Sequence, residues 1–491
     1  MIGFYVLALG IAGGLLWLVW YDITEAGGHI RLILFGGVIA AMILWSIVPR
    51  PIRYDIPGPR LAPEDQPELF AVIEDVARAT EQQMPADVYL ARDVNAGVLQ
   101  VGGVLGFGTR RVLELGLPLL QSLTISQFRA VIAHEFGHYH GGDTRLAPLV
   151  YRTRESIGRT VNTLADDDGV IHKPFLWYGN FFMRVTQAIS RAQELAADRL
   201  SARVAGAKNA AAALIAVEGA AAAHQSYWDS EVMPLVVSGY RPPLALGFAR
   251  FTSVATISSA VSKIVDETLR GGEKNEYDSH PPLRERVEAL GELASSEVDA
   301  SEEKAATLLR DLPRLEEALI ASIFAGWFAE KVQPVTWEEA GTRVYLPAWR
   351  ERATKHATIL GELTPLALPS VARGIVDFSA RLKLTEEDGE HTEAAAVVVG
   401  SALAVCLHDL GWECDAMPGK PIAFTLDGKT IEPFGVMPRL RAGELTAETW
   451  EAQCRDAGIE STTLAHVCAN PSSDNTNDAC TRSVPGSTNS G

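Results

Sequence analysis

The residues best suited to chemistry lie in the segment 131–143, which reads VIAHEFGHYHGGD. His134 and His138 are four residues apart, so on a helix both imidazoles project from one face about 6 Å apart. That spacing allows both rings to bind one tetrahedral zinc ion. Glu135 is rotated by about 100° around the helix axis, which suits a general base acting on water at the metal rather than a ligand. The pattern predicts a zinc site that attacks a carbonyl with water.

A pair of acidic residues follows about 55 residues later, in the segment 190–198, which reads SRAQELAAD. Catalytic zinc takes three protein ligands, and Glu194 would complete a set of two histidines and one glutamate. Asp198, one helical turn further on, would accept a hydrogen bond from a ligating imidazole, preferentially that of His134, and fix its tautomer. An isolated E-x-x-x-D is otherwise a common solvated pair, so this interpretation depends on the apolar neighbours and on the order of the two motifs.

Local signals predict the elements that hold these residues. Thr124 and Gln127 form a capping box, which predicts a helix from Thr124 to about His140, ended by Gly141-Gly142. Helical spacing of apolar residues predicts a helix over 64–84. Short apolar runs that alternate with glycines predict short strands over 87–115, and the Ala-rich stretch over 205–224 predicts a packed helix.

Two apolar runs at the N-terminus predict a transmembrane hairpin. Residues 1–21 carry no charged side chain, and residues 32–48 form a second apolar run. A helix needs about 20 residues to span a bilayer, so both runs are close to that length. A cleaved signal peptide is the alternative for the first run, but a basic start is missing and a second run follows at once. The loop Asp22–Gly28 is acidic, whereas Arg50 and Arg53 follow the second run, which predicts that the rest of the chain lies in the cytoplasm.

Composition narrows the class of protein. The chain has 491 residues, is 47% hydrophobic and carries a net charge of −18. This excludes a disordered or disulfide-rich scaffold, and the acidic balance argues against nucleic acid as a partner. The five cysteines all follow residue 400 and form no C-x-x-C pair, so the sequence does not support a cysteine-bound zinc.

Taken together, these motifs resemble the HtpX-like and CAAX-prenyl-protease-type family of integral-membrane zinc metalloendopeptidases, gluzincins with HExxH and ExxxD motifs. The likeness extends over about residues 1–291. It rests on HEFGH at 134–138, ELAAD at 194–198, the upstream Asn95-Ala96-Gly97 and SHPPLRERVEAL at 279–290.

The resemblance implies proteolysis with one zinc ion per chain. In this interpretation His134, His138 and Glu194 bind the zinc, and Glu135 is the base. His280, before Pro281-Pro282, would donate a hydrogen bond to the oxyanion of the tetrahedral intermediate, with an ordinary loop histidine as the alternative. The chain departs from the family at Gly97, where phenylalanine is frequent, in lacking a clear second pair of spans, and in residues 296–491, which match no family segment.

We therefore predict a helix-dominated α+β protein. In the C-terminal part, Asp427-Gly428 predicts a β-hairpin turn, and a polar stretch near residue 295 predicts a domain boundary. The predicted segments are a transmembrane hairpin over 1–53, a zincin-type metallopeptidase domain with a small sheet over 54–295, a mixed α/β domain of unknown role over 296–470 and a disordered tail over 471–491.

The predicted function is that of a zinc endopeptidase in the inner membrane, with its catalytic domain facing the cytoplasm and a role in membrane protein quality control. Its partners would be the lipid bilayer and protein or peptide substrates, which pair as a strand along an edge near 95–115. The main alternative is a membrane-bound, zinc-stabilised interaction or chaperone module without proteolysis. The third hypothesis is a processor of prenylated peptides, but two transmembrane spans are few for building the lipid-binding chamber that it needs.

Overall fold

A computed structural model shows the chain as two compact units, Met1–Val335 and Thr336–Gly491. The structure describes residues 2–25, 27, 29–47, 58–101, 110–139, 153, 156–158, 160, 173–271, 281–293, 301–327, 332–384 and 391–464, with the backbone alone at residues 2, 32, 183 and 185–189. Helices dominate both units, and each also carries a small sheet. The predicted helix-dominated α+β class is confirmed.

Helices make up most of the first unit. A glycine at φ +87°, Gly206, separates two of the longest helices, because this left-handed conformation favours a residue without a side chain. The helices are α1 (Ile2–Thr24), α2 (Ile30–Ile47), α3 (Pro67–Ala79), α4 (Leu117–Ser122), α5 (Ile125–Gly137), α6 (Lys173–Ala205), α7 (Ala207–Tyr227), α8 (Met233–Val237), α9 (Leu244–Ser253), α10 (Ala255–Gly271), α11 (Leu283–Gly291) and α12 (Leu312–Ile323).

A four-stranded sheet packs beside α5. Its strands are β1 (Arg60–Leu61), β2 (Asp87–Ala91), β3 (Ala96–Val101) and β4 (Arg110–Gly116), in the order β1-β2-β4-β3. β2 and β4 are parallel and largely buried, whereas β3 runs antiparallel to β4 and is half-buried along its whole length. The short strands predicted over 87–115 are present, and β3 lies at the edge. A second, two-stranded sheet joins β5 (Tyr240–Arg241) to β6 (Gln333–Pro334).

The N-terminal helices α1 and α2 pack against each other and against the beginning of α6. Their shared interface is apolar and includes Phe4, Ala8, Ala12, Ala40, Ile43, Ile47, Phe175 and Phe182. Large apolar side chains point outwards, among them Trp17, Trp20, Phe35, Trp45 and Trp177. By length and composition Gly3–Thr24 is able to cross a membrane, and Ile33–Ile47 is apolar but shorter. The pair thus has the composition and the outward apolar surface of a membrane anchor.

The division between the units falls after Val335, about 40 residues beyond the boundary predicted at residue 295. Gln66 Nε2 donates to Arg310 O (3.0 Å), and Arg310 N donates to Gln66 Oε1 (2.6 Å). The buried Glu316 accepts a hydrogen bond from Ala245 N (2.9 Å) at the start of α9. These long-range bonds hold the segment before Val335 on the first unit, and they leave no trace in local composition.

The second unit is built around a buried helix of 19 residues, α18 (His391–Asp409). This helix is also long and apolar enough to cross a membrane, but 61% of its apolar window is buried inside the unit. The elements are α13 (Trp337–Ala340), α14 (Leu346–Lys355), α15 (Ala357–Leu360), α16 (Leu368–Arg373), α17 (Ile375–Leu382), α18 (His391–Asp409), β7 (Glu413–Asp415), β8 (Ala423–Leu426), β9 (Lys429–Ile431), α19 (Pro433–Ala442) and α20 (Ala447–Ala457).

The predicted hairpin of this unit is present. β8 and β9 are antiparallel, with Leu426 opposite Lys429. Asp427 (φ 51°) and Gly428 (φ 77°) form the two-residue loop, and both have the positive φ that a type I′ turn requires. The tail predicted over 471–491 lies outside the described residues.

Candidate metal centre

Helix α5 brings the two histidines of HEFGH together. Its capping box forms as predicted: Thr124 Oγ1 accepts a hydrogen bond from Gln127 N (3.2 Å), and Gln127 Oε1 accepts one from Thr124 N (2.9 Å). The helix ends at Gly137, with His138 as its C-cap residue. The rings of His134 and His138 meet edge to face, with centroids 4.8 Å apart.

Glu194 of α6 completes a triangle of donor groups with these histidines, with a different carboxylate oxygen facing each imidazole. The two Nε2 atoms of His134 and His138 are 3.2 Å apart. Glu194 Oε2 lies 3.5 Å from His134 Nε2, and Oε1 lies 3.6 Å from His138 Nε2. In a tetrahedral site with bonds of about 2.0–2.2 Å, neighbouring ligand atoms are about 3.3–3.6 Å apart. The spacing of the triangle therefore fits three protein ligands of zinc.

A close approach between two helices makes the triangle possible. A Cβ added at Gly137 would lie 2.8 Å from Ala197 Cα and 3.0 Å from Ala197 Cβ. Only glycine therefore allows α5 to approach α6 so closely at this point. One turn away, Ser201 Oγ donates to Ala130 O (2.7 Å) and joins the same two helices. Nothing in the local sequence marks Gly137 for this role, because a helix crossing is a tertiary feature.

Asp198 and Arg286 lie behind the triangle. Asp198 Oδ1 lies 2.9 Å from His134 Nδ1. Arg286 of α11 donates from Nε to Asp198 Oδ2 (2.8 Å) and from Nη2 to Oδ1 (2.7 Å), and its Nη2 is 3.6 Å from Glu194 Oε2. Burial lowers the pKa of His134, but the hydrogen bonds with Asp198 and Glu194 more than offset this and raise it to about 9. Burial likewise raises the pKa of Asp198, yet the bonds from Arg286 and His134 outweigh it and hold that pKa below its ordinary value.

The charges of the centre suit a divalent cation. Glu194 and Asp198 are only 4% and 3% exposed, and Glu135 is half-buried beside them. Three carboxylates face the guanidinium of Arg286, so the centre stays net negative even when the His134 imidazole is protonated. Buried charges of one sign are costly unless a counter-ion is present. The donor set and its charge therefore fit Zn²⁺.

Glu135 lies at the wall of a cavity of about 140 Å³. One donor atom from each of His134, Glu135 and His138 lies within 4.8 Å of the others, so the Glu135 carboxylate is close to the centre. Glu194 presents one carboxylate oxygen to each imidazole, 3.5 Å from His134 Nε2 and 3.6 Å from His138 Nε2, which suits a third ligand. The cavity is also lined by Asn95 and Ala96 at the start of β3, by residues of α7 and by Arg286.

Tyr139, which follows the second histidine, connects the centre to the edge strand. Its hydroxyl donates a hydrogen bond to Val98 O (2.5 Å), and the Arg111 guanidinium lies 4.4 Å from the centre of its ring. Burial raises the pKa of Tyr139 to about 12, so the hydroxyl stays protonated and serves as a donor. No local pattern marks Tyr139, because its partners are 41 and 28 positions away in the chain.

The structure thus brings together most of the residues that the sequence singled out. His134, Glu135, His138, Glu194 and Asp198 form one cluster. His280 lies outside the described residues, so its suggested role stays a prediction. His140, which the helical spacing directs away from the metal, lies outside them too.

Comparison with known proteins gives one match. Residues 63–294, the part of the chain that contains the whole cluster, match the model of peptidase family M48. No curated protein and no solved structure matches the chain.

Proposed function

Because residues 63–294 belong to peptidase family M48, the family of HtpX- and CAAX-protease-type zinc metallopeptidases, we propose that this protein is a membrane-anchored zinc endopeptidase. Membership of the family implies metalloprotease activity. The proposal rests above all on the donor triangle of His134, His138 and Glu194, with edges of 3.2–3.6 Å. A glutamate beside such a triangle, at the wall of an open cavity, is what hydrolysis needs and a closed structural site does not.

In this proposal the chain holds one zinc ion through His134 Nε2, His138 Nε2 and the Glu194 carboxylate. Zinc in such a site supplies a Lewis acid that polarises a carbonyl and acidifies water. Glu135 accepts the proton of the water that attacks the scissile carbonyl and passes it to the leaving amine nitrogen. His280 is proposed, from its place in the family motif, as the donor to the oxyanion.

Asp198 and Arg286 orient the ligands without touching the substrate. When Asp198 Oδ1 accepts the proton of His134 Nδ1, the Nε2 lone pair of His134 is directed to the metal. Arg286 holds both oxygens of Asp198 and restricts its rotation. Together they fix the tautomer and the position of one ligand before the metal binds.

The finer localisation is also a proposal. We place the catalytic domain on the cytoplasmic side of an inner membrane, because Arg50 and Arg53 follow the second apolar run and the loop before it is acidic. Substrates would then be cytoplasmic proteins, or loops of damaged membrane proteins, as expected for quality control. Protease added to sealed spheroplasts should spare residues 54–491, and degradation of that part would overturn this orientation.

The rival proposal is a membrane-bound interaction or chaperone module that keeps zinc for stability alone. It leaves the position of Glu135 without a purpose. The test is the hydrolysis of casein by detergent-purified wild type and Glu135→Gln, each with its zinc content measured. We expect Glu135→Gln to keep its zinc and to lose several orders of magnitude in kcat, since the ligands remain and the base is gone. Equal cleavage by both proteins would refute the role of Glu135, and a zinc-loaded wild type without activity would favour the rival.

A further inference from the structure

Strand β3 presents a backbone edge beside the cavity. Among the residues that the structure describes, β3 pairs with β4 and with no other strand. Gly116 N donates a hydrogen bond to Asn95 O (2.7 Å), so the carbonyl of Asn95 points towards β4. Because successive residues of a strand direct their backbone groups to opposite sides, those of Ala96, Val98 and Gln100 point to the free edge.

One of these edge positions is already occupied within the chain. Tyr139 Oη donates to Val98 O at 2.5 Å. The ring that carries this hydroxyl is held in place by Arg111, whose guanidinium lies 4.4 Å from the ring centre and donates from Nη1 to Gln82 Oε1 (3.1 Å). Arg111 therefore stabilises the position of the Tyr139 ring and of its hydroxyl.

The occupied position lies close to the reaction centre. Ala96 lines the same cavity as His134 and Glu135, so the strand opens onto the centre at this end. At about 3.3 Å per residue, Val98 is only about 7 Å further along the strand. Tyr139 itself directly follows the C-cap residue His138, so its place is tied to the end of α5. The free edge is thus open to a substrate at Ala96, whereas two residues later the Val98 carbonyl is already bonded to Tyr139.

We propose that Tyr139 ends the substrate-binding edge of β3, so that only the few substrate residues next to the cleaved bond pair with the strand. The inference rests on the proposed function and narrows its substrate class. Short extended segments, such as exposed stretches of unfolded proteins, form all the backbone hydrogen bonds that the edge offers. Longer extended segments form no further hydrogen bonds with it. Tyr139 acts here as a positioning residue for specificity and does not touch the reacting atoms.

The test measures peptide binding without turnover. Fluorescein-labelled casein peptides, lengthened one residue at a time at either end, are titrated against the zinc-loaded Glu135→Gln protein with and without Tyr139→Phe. Phenylalanine keeps the ring beside Arg111 and removes only the hydroxyl. We expect affinity to stop rising with length when Tyr139 is present. In the Tyr139→Phe protein, affinity should rise further at one end by about threefold to tenfold, the value of one hydrogen bond.

A chemical probe locates the new bond. N-methylation of the peptide amide that reaches the Val98 carbonyl should remove the gain in the Tyr139→Phe protein and have no effect when Tyr139 is present. The same length dependence in both proteins, or no peptide binding in either, overturns the proposal. Failure of the proposed function is distinct from this, because it appears as zinc-loaded wild type that cleaves no peptide.

The matched control is Tyr227→Phe. The buried Tyr227 Oη donates to Leu244 O (2.8 Å), so this change removes the same kind of bond away from β3. It should leave the dependence on peptide length unchanged. If Tyr139→Phe fails to fold, as judged by its thermal melt and zinc content, Arg111→Met replaces it. That variant removes the support behind the ring and should restore part of the gain for long peptides, and no gain would again refute the proposal.

Discussion

Replacement of Gly137 by alanine should push apart the two helices that carry the metal ligands. The new Cβ would lie 2.8 Å from Ala197 Cα and 3.0 Å from Ala197 Cβ. Carbon atoms in ordinary contact are about 3.5–4.0 Å apart, so α5 and α6 must separate by roughly 0.5–1 Å here. Both atoms of Ala197 are fixed to the helix backbone, so no side-chain rotation relieves the clash.

This displacement occurs within one turn of the donor triangle. Gly137 precedes His138, and Ala197 lies between Glu194 and Asp198 in α6. The distances of 3.5 and 3.6 Å from Glu194 to the histidines are at the upper end of the range for tetrahedral zinc, and they would lengthen. We expect zinc affinity to fall by a factor of about 10–100, as when the support of a ligand is lost. The unfolding free energy should fall by about 1–3 kcal/mol through overpacking.

The assay combines a competitive chelator titration, which gives the zinc dissociation constant, with chemical denaturation. The control is Gly291→Ala in α11, where an added Cβ meets no atom within 4 Å. Alanine there should stabilise the protein by up to about 1 kcal/mol through its helix propensity and leave zinc binding unchanged. If Gly137→Ala binds zinc as tightly as wild type and is stabilised as much as the control Gly291→Ala, the helix crossing does not set the ligand geometry.

Asp198→Asn should raise the zinc dissociation constant by about 10–100-fold, because the imidazole of His134 loses its anionic partner; an unchanged constant in the chelator titration would contradict this. Burial raises the pKa of Glu316 to about 7. Between pH 4.5 and 7 the folded chain therefore binds a proton that the unfolded chain releases. The unfolding free energy should fall by a few kcal/mol as pH rises through this window. Urea denaturation at pH 5 and pH 8 should show this loss in wild type and in the control Glu317→Gln but not in Glu316→Gln, and an equal loss in all three would refute the assignment. His280→Ala should lower kcat by about 10²–10³ with zinc content intact, and an unchanged kcat would make it an ordinary loop histidine.

Local patterns were enough to predict the helix that carries the first motif. The capping box of Thr124 and Gln127 and the four-residue spacing of His134 and His138 are properties of a single helix, and neighbouring residues determine them. The hairpin at Asp427-Gly428 was predictable for the same reason, since a type I′ turn needs positive φ at two adjacent residues. Glu194 and Asp198 were found through their order in the chain and the family resemblance.

The parts that escaped prediction depend on contacts between distant segments. Gly137 matters only because Ala197 crosses it, and Tyr139 only because Val98 lies at the end of its side chain. The sequence alone leaves Arg286 compatible with a surface ion pair, and only the packing of α11 brings it to Asp198. The division after Val335 has no local signal, because a polar composition near residue 295 does not reveal that the segment beyond it packs with the first unit.

Zinc K-edge absorption of the purified full-length protein tests the central claim most directly. We expect one zinc per chain, with two imidazole nitrogens and carboxylate oxygen at about 2.0–2.2 Å, and loss of the metal in Glu194→Ala but not in Glu135→Gln. A spectrum with sulfur at about 2.3 Å, or an unchanged zinc site in Glu194→Ala, would contradict the ligand set of His134, His138 and Glu194.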